Sequence, residues 1–152
     1  MVTRAFEVAL TIPDNEALTA LGTLQRLGVE TGDVRRADLW RFHVEAPLAE
    51  ALRDAVRGIE TIFNPNKHRL RERDASSPEP GEVWIAELAE PSGAHDGRAP
   101  RVAGRTLPGV TRIERMVAWR LFDRHGKPAA AAVVEQAIET LLCNPAFQRA
   151  IR

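Results

Sequence analysis

The sequence predicts an α+β fold in which one unit of order β-α-β-β-α-β is written twice in tandem. Three observations lead there. A set of landmark residues recurs in one order, the hydrophobic period alternates between two and about 3.6 in the same succession in each half, and a single Pro/Ser-rich stretch divides the halves. The landmarks lie in Val34–Glu72 and Ile113–Arg152. Trp40-Arg41 and Ile59-Glu60-Thr61 return as Trp119-Arg120 and Ile138-Glu139-Thr140, both at a spacing of 79. One inserted residue, Cys143, then moves the spacing to 80 and brings Asn64-Pro65 and Arg69 onto Asn144-Pro145 and Arg149. Repeats of roughly 75 residues are marginal as separate cores. The expected organisation is therefore one pseudo-twofold domain, with repeat 1 over 1–73, a linker over 74–81 and repeat 2 over 82–152.

Taken in order, Ala5–Ile12 alternates Phe6, Val8, Leu10 and Ile12 against Glu7 and Thr11, the pattern of a half-buried strand. Pro13-Asp14 supplies a stop and an N-cap. Ala17, Leu18, Leu21, Leu24 and Leu27 follow at helical spacing, and Gly28 closes that helix. Val34–Arg36 starts a second strand and Leu39–Ala46 a third, with Trp40, Phe42 and Val44 on one side. Pro47 suits a first helical turn, and the helix then runs along Leu48, Leu52, Val56, Ile59 and Phe63 to the Asn64-Pro65 break. Asn66–Arg73 reads as a charged edge strand. The order is the ferredoxin-like split βαβ arrangement. In the second half the same reading gives a strand over Glu82–Glu87, a loop over Pro91–Gly97 and a helix over Arg98–Leu107 that contains Pro100 and Gly104. A strand pair over Val110–Phe122 follows, then a helix over Pro128–Leu142 ended by Asn144-Pro145.

Charge narrows the function classes. Lys plus Arg equals Asp plus Glu at 21 each, and each half is balanced on its own, so the basic excess that nucleic acid or a membrane surface demands is missing. One cysteine excludes an intramolecular disulfide and a multi-cysteine zinc site. No N-terminal run reads as a signal peptide and nothing approaches a membrane span, so the expected setting is the cytoplasm.

Catalytic signatures are equally sparse. His43, His68, His95 and His125 show no metal-ligand spacing, and no Walker loop, dinucleotide fingerprint, nucleophile elbow or H-E-x-x-H is present. Cys143 falls at a helix C-terminus, where the dipole opposes the thiolate that a nucleophile needs. His43 and Glu45 share a strand face and could form an acid–base pair; a solvated surface is the competing reading. Lys67–Arg71 is a basic run on a ferredoxin-like edge, but the exposed aromatics of RNA-stacking sheets are lacking. Trp40 and Trp119 are assigned to the core or to the seam between repeats. The expectation is no catalytic, metal-binding or cofactor-binding residues.

Each half nevertheless resembles PurS, the small non-catalytic subunit of phosphoribosylformylglycinamidine (FGAM) synthase in purine biosynthesis. The first half does so through Leu27-Gly28, Asp33-Val34-Arg35, the Phe42–Ala46 strand, the Ala51–Phe63 helix and Asn64-Pro65. The second does so through Gly97-Arg98-Ala99, the Trp119–Phe122 strand and Leu141-Leu142-Cys143-Asn144-Pro145. Val110–Trp119 is also similar to a V-x-R-I-E-R-G-x-A-Y run in the PurS-like N-terminal domain of the large single-chain synthase, with Met116 in place of Gly and Trp119 in place of Tyr. The resemblance implies a non-catalytic bridge between the synthetase (PurL-type) and glutaminase (PurQ-type) subunits of an ATP-dependent ligase, and a homodimer as a further assembly. The contact candidates are Asn64, Pro65, Arg69, Arg71, Asn144, Pro145 and Arg149. A second reading is a small-molecule-binding regulatory module of ACT-like type, with its ligand at the seam between the repeats. A third is a small catalytic domain using His43 and Glu45.

Overall fold

The computed structural model describes residues 1–88 and 107–152, with the backbone alone at 101–102 and 105–106. Among these residues the fold is α+β, with one antiparallel six-stranded sheet in the order β3-β1-β2-β7-β4-β8. The strands are β1 (Val2–Leu10), β2 (Asp33–Val44), β3 (His68–Arg73), β4 (Glu82–Glu87), β7 (Val110–Phe122) and β8 (Gln148–Ile151). A separate two-residue ribbon pairs β5 (Arg101–Val102) with β6 (Arg105–Thr106). The helices are α1 (Asn15–Arg26), α2 (Ala49–Arg57) and α3 (Ala131–Ala137), and α3 runs on as a π-turn over Ile138–Leu142.

The first helix follows its sequence signals closely. Asp14 Oδ1 accepts from the backbone N–H groups of Glu16 and Ala17, satisfying donors that a helix start leaves open. At the other end Val29 N donates to Leu24 O and Gly28 N to Gln25 O, a Schellman closure. Gly28 stands at φ +83°, a conformation that glycine adopts without steric cost.

Elsewhere the strands and helices differ from the expected ones. The two strands expected at Val34–Arg36 and Leu39–Ala46 are one continuous β2, which stays extended through Ala37-Asp38, where Asp38 pairs in register with Val8 of β1. The first half thus has the order β-α-β-α-β. Val110–Phe122 is likewise a single strand, β7. β1 is buried on both faces rather than one: Phe6 and Val8 enter the core, while Ala5 and Glu7 on the other side are also buried. Glu7 tolerates this because Arg71 and Arg73 both reach its carboxylate at 3.2 Å. Ile12, expected inward, is exposed beyond the end of the strand.

The second helix is shorter than expected. It starts as a 3-10 turn over Ala46–Leu48 and stops at Arg57, where Gly58 weakens the ladder. Ile59 and Ile62 are still buried, in a single turn closed by Phe63 N donating to Ile59 O. The helix expected over Arg98–Leu107 is replaced, where it is described, by the extended β5 and β6, as its Pro100 and Gly104 favour. The loop expected at Pro91–Gly97 lies outside the described residues.

The chain forms two compact units that do not follow the two sequence halves. One contains Met1–Ile12, Asp38–Ser76 and the described part of Ala89–Arg115; the other contains Pro13–Ala37, Ser77–Leu88 and Met116–Arg152. Helix α1 therefore belongs with β4, α3 and β8, and β2 and β7 each supply residues to both units. The first core packs Phe6, Val8, Trp40, Phe42 and Val44 of the sheet against Leu52 and Val56 of α2. There Phe6 meets Phe42 edge-on at 5.8 Å. The second core packs Val83, Ile85 and Leu121 against Leu24 of α1 and Val134, Ala137, Ile138 and Leu142. Trp40 is a core residue, as expected, and Trp119 is half-buried against the second core.

Candidate functional site

The expected contact residues cluster at two loops and at the outermost strands that follow them. In the first loop, Asn64 O accepts from the N–H groups of Lys67 and His68, and Asn64 Oδ1 accepts from Asn66 N at 2.9 Å. In the second, Asn144 O accepts from Phe147 and Gln148, and Asn144 Oδ1 accepts from Ala146 N at 3.0 Å. Each loop is closed by a side chain four residues on. Asn64 N donates to His68 Nδ1 at 2.9 Å, and Asn144 N donates to Gln148 Oε1 at 3.0 Å. The strand entries also match: Thr11 N donates to Lys67 O, and Leu88 N to Phe147 O.

Proline sets both turns. It bars a further helical turn and leaves the Asn side chain to bond backbone two residues ahead, an Asx turn. Pro65, Asn144 and Pro145 are exposed, and Asn64 is half-buried. From these turns β3 and β8 run as the last strands at the two edges of the sheet order. Arg69 pairs in register with Ala9, and Arg149 with Ala86. Both arginines are exposed and lack an ion-pair partner among the described residues. Arg71 is different, since its guanidinium is committed to Glu7.

A second grouping was not foreseen. His43 does not pair with Glu45, which is exposed, but with Glu114 on β7: Nε2 lies 2.7 Å from Oε1. Arg41 grips the same carboxylate from both sides, Nε to Oε1 at 3.1 Å and Nη2 to Oε2 at 3.0 Å. Burial pushes the Glu114 carboxyl up. The hydrogen bonds from Arg41 and His43, with the nearby charges of Arg41 and Arg112, outweigh burial and hold it at about 2.

On the other side of the ring, His43 Nδ1 lies 3.3 Å from Thr3 Oγ1. Thr3 and His43 are directly opposed across β1 and β2. Arg41 Nη1 also donates to Ala75 O, tying down the start of the linker. The arrangement is an ion-paired strut between β2 and β7. Nothing in the sequence could indicate it, because Glu114 lies 71 residues from His43 and only the strand order brings them together.

Among the described residues no cluster of His, Cys, Asp or Glu is built to hold a metal ion. No helix among them is long and apolar enough to cross a membrane. No family model matches the chain, and no curated protein matches it.

Proposed function

We propose that this chain is a non-catalytic bridging subunit of PurS type, joining the synthetase and glutaminase of FGAM synthase in the cytoplasm. In this reading it is a tandem duplication of a ferredoxin-like unit, two PurS-like copies in one polypeptide. The observation that carries the duplication is the agreement between the two Asn-Pro loops, hydrogen bond for hydrogen bond. Its weight comes from His68 and Gln148. They are different residues doing one job, accepting from the Asn backbone, which a shared ancestor explains better than a chance repeat of letters.

The π-turn supports the same history. Cys143 N bonds Ile138 O, five residues back, at the point where the sequence spacing changes by one. A one-residue insertion into a helix is absorbed as such a turn without rotating the flanking faces.

Bridging requires two places to attach, and the sheet order leaves two outer strands, each entered through an Asn-Pro turn and each carrying an exposed arginine. Strand edges offer unpaired backbone groups to a partner. The test is co-elution of the chain with the synthetase and glutaminase of its source on a sizing column. The intact chain should bring both into one peak, and a variant carrying Arg69→Glu and Arg149→Glu should release at least one. If the three proteins elute separately at micromolar concentration, the bridging role is wrong.

A further inference from the structure

The second compact unit contains an open cavity of about 410 Å³. Its floor is Ala20 and Leu142, both buried, with the half-buried indole of Trp119. Its wall is one stripe of α1, where Asn15, Thr19 and Thr23 follow one another at four-residue intervals. Residues four apart lie on one helix face. The stripe therefore sets an amide and two hydroxyls in a row above an aromatic and aliphatic floor. Glu16 stands at the rim, paired with Arg36. Arg36 is further tied to Asp14 at 3.1 Å and lies 6.0 Å from the centroid of the Trp119 ring. A cavity of this size with an apolar body and a few convergent polar groups has the make-up of a small-molecule site.

We infer that this cavity binds a neutral, planar heteroaromatic molecule, its ring against Trp119 and its hydrogen-bonding edge toward Thr19 and Thr23. The two hydroxyls each donate and accept, so they suit a ring nitrogen or an amide equally. An anion is disfavoured, because Glu16 is the one charged residue in the lining, while Arg36 is spent on Asp14 and Glu16 and Arg26 on Thr23 Oγ1 at 3.2 Å. The cavity takes α1 from the first half of the sequence and Trp119, Leu141 and Leu142 from the second, which is where a ligand of the ACT-like reading would sit. The inference rests on the geometry of this unit alone and is independent of the bridging role.

The probe is nicotinamide, neutral and soluble to high concentration, with benzoate as an anionic ring of similar size. Titration of the ¹⁵N-labelled full chain follows the three indole N–H resonances, assigned by Trp119→Phe. The Trp119 resonance should shift saturably with nicotinamide, while those of Trp40 and Trp84 stay in place. Benzoate should bind at least tenfold more weakly. The double variant Thr19→Val, Thr23→Val keeps side-chain volume and should raise the nicotinamide Kd about tenfold, as two lost hydrogen bonds imply. Circular dichroism checks that this variant is folded, and if it is not, Thr23→Val alone is used. No saturable shift at Trp119, equal binding of benzoate, or a Kd unchanged in the folded variant would each overturn the proposal.

Discussion

Among the described residues, Glu114 is one of two buried acids of the first unit, with Glu7. The Glu114 side chain is 11% exposed and receives Arg41 and His43 together. Glu114→Gln removes the charge while Arg41 stays shielded from water, so chemical denaturation should show a loss of about 2–4 kcal/mol. The pH dependence follows from the same contacts. The carboxyl falls from its ordinary 4.5 to about 2 on folding, so its contribution is complete above about 4.5 and is lost as pH drops toward 2. That acid loss amounts to about 3 kcal/mol and should be smaller in Glu114→Gln. An equally steep acid limb in the variant would contradict this. His68 offers a separate residue-scale check. His68→Gln should be nearly silent in thermal melts, since Gln148 already performs that role in the other loop, whereas His68→Ala should cost about 1 kcal/mol.

At the scale of elements, the π-turn makes a sharp prediction. Deleting Cys143 should let Ile138–Leu142 relax to i→i+4 bonding while Asn144-Pro145 keeps its turn, at a cost of no more than about 2 kcal/mol by denaturant titration. Deleting Val56, from a helix with no extra residue, should abolish cooperative unfolding. Equal damage from the two deletions would mean that Cys143 is not an inserted residue. The sequence made α1 legible from cap to cap because each signal there is local: Asp14, the Leu spacing and Gly28. It also showed the one-residue change at Cys143, though not its form. It misplaced the end of α2, because Ile59 and Ile62 keep helical spacing and burial after Gly58 has ended the helix. It split β2 because a change in burial pattern at Ala37-Asp38 looks like a turn. That change falls where β2 passes from one compact unit to the other, which no local pattern encodes.

The site follows the same division at the scale of the whole molecule. Asn64-Pro65 and Asn144-Pro145 were readable as matched turns, and Arg69 and Arg149 as charged edge residues, because turn chemistry and edge charge are local properties. The Glu114 strut and the Trp119 cavity were not, since each joins elements far apart in the chain. The proposed role of the whole molecule is a bridge between a synthetase and a glutaminase. The most direct measurement is the rate of amidine formation by the purified synthetase and glutaminase, with and without this chain, using glutamine or ammonium as the nitrogen source. Bridging predicts that glutamine-dependent activity appears only when the chain is added, while ammonium-dependent activity is the same in its presence or absence. Glutamine-dependent activity at full rate without the chain, or none with it, would contradict bridging.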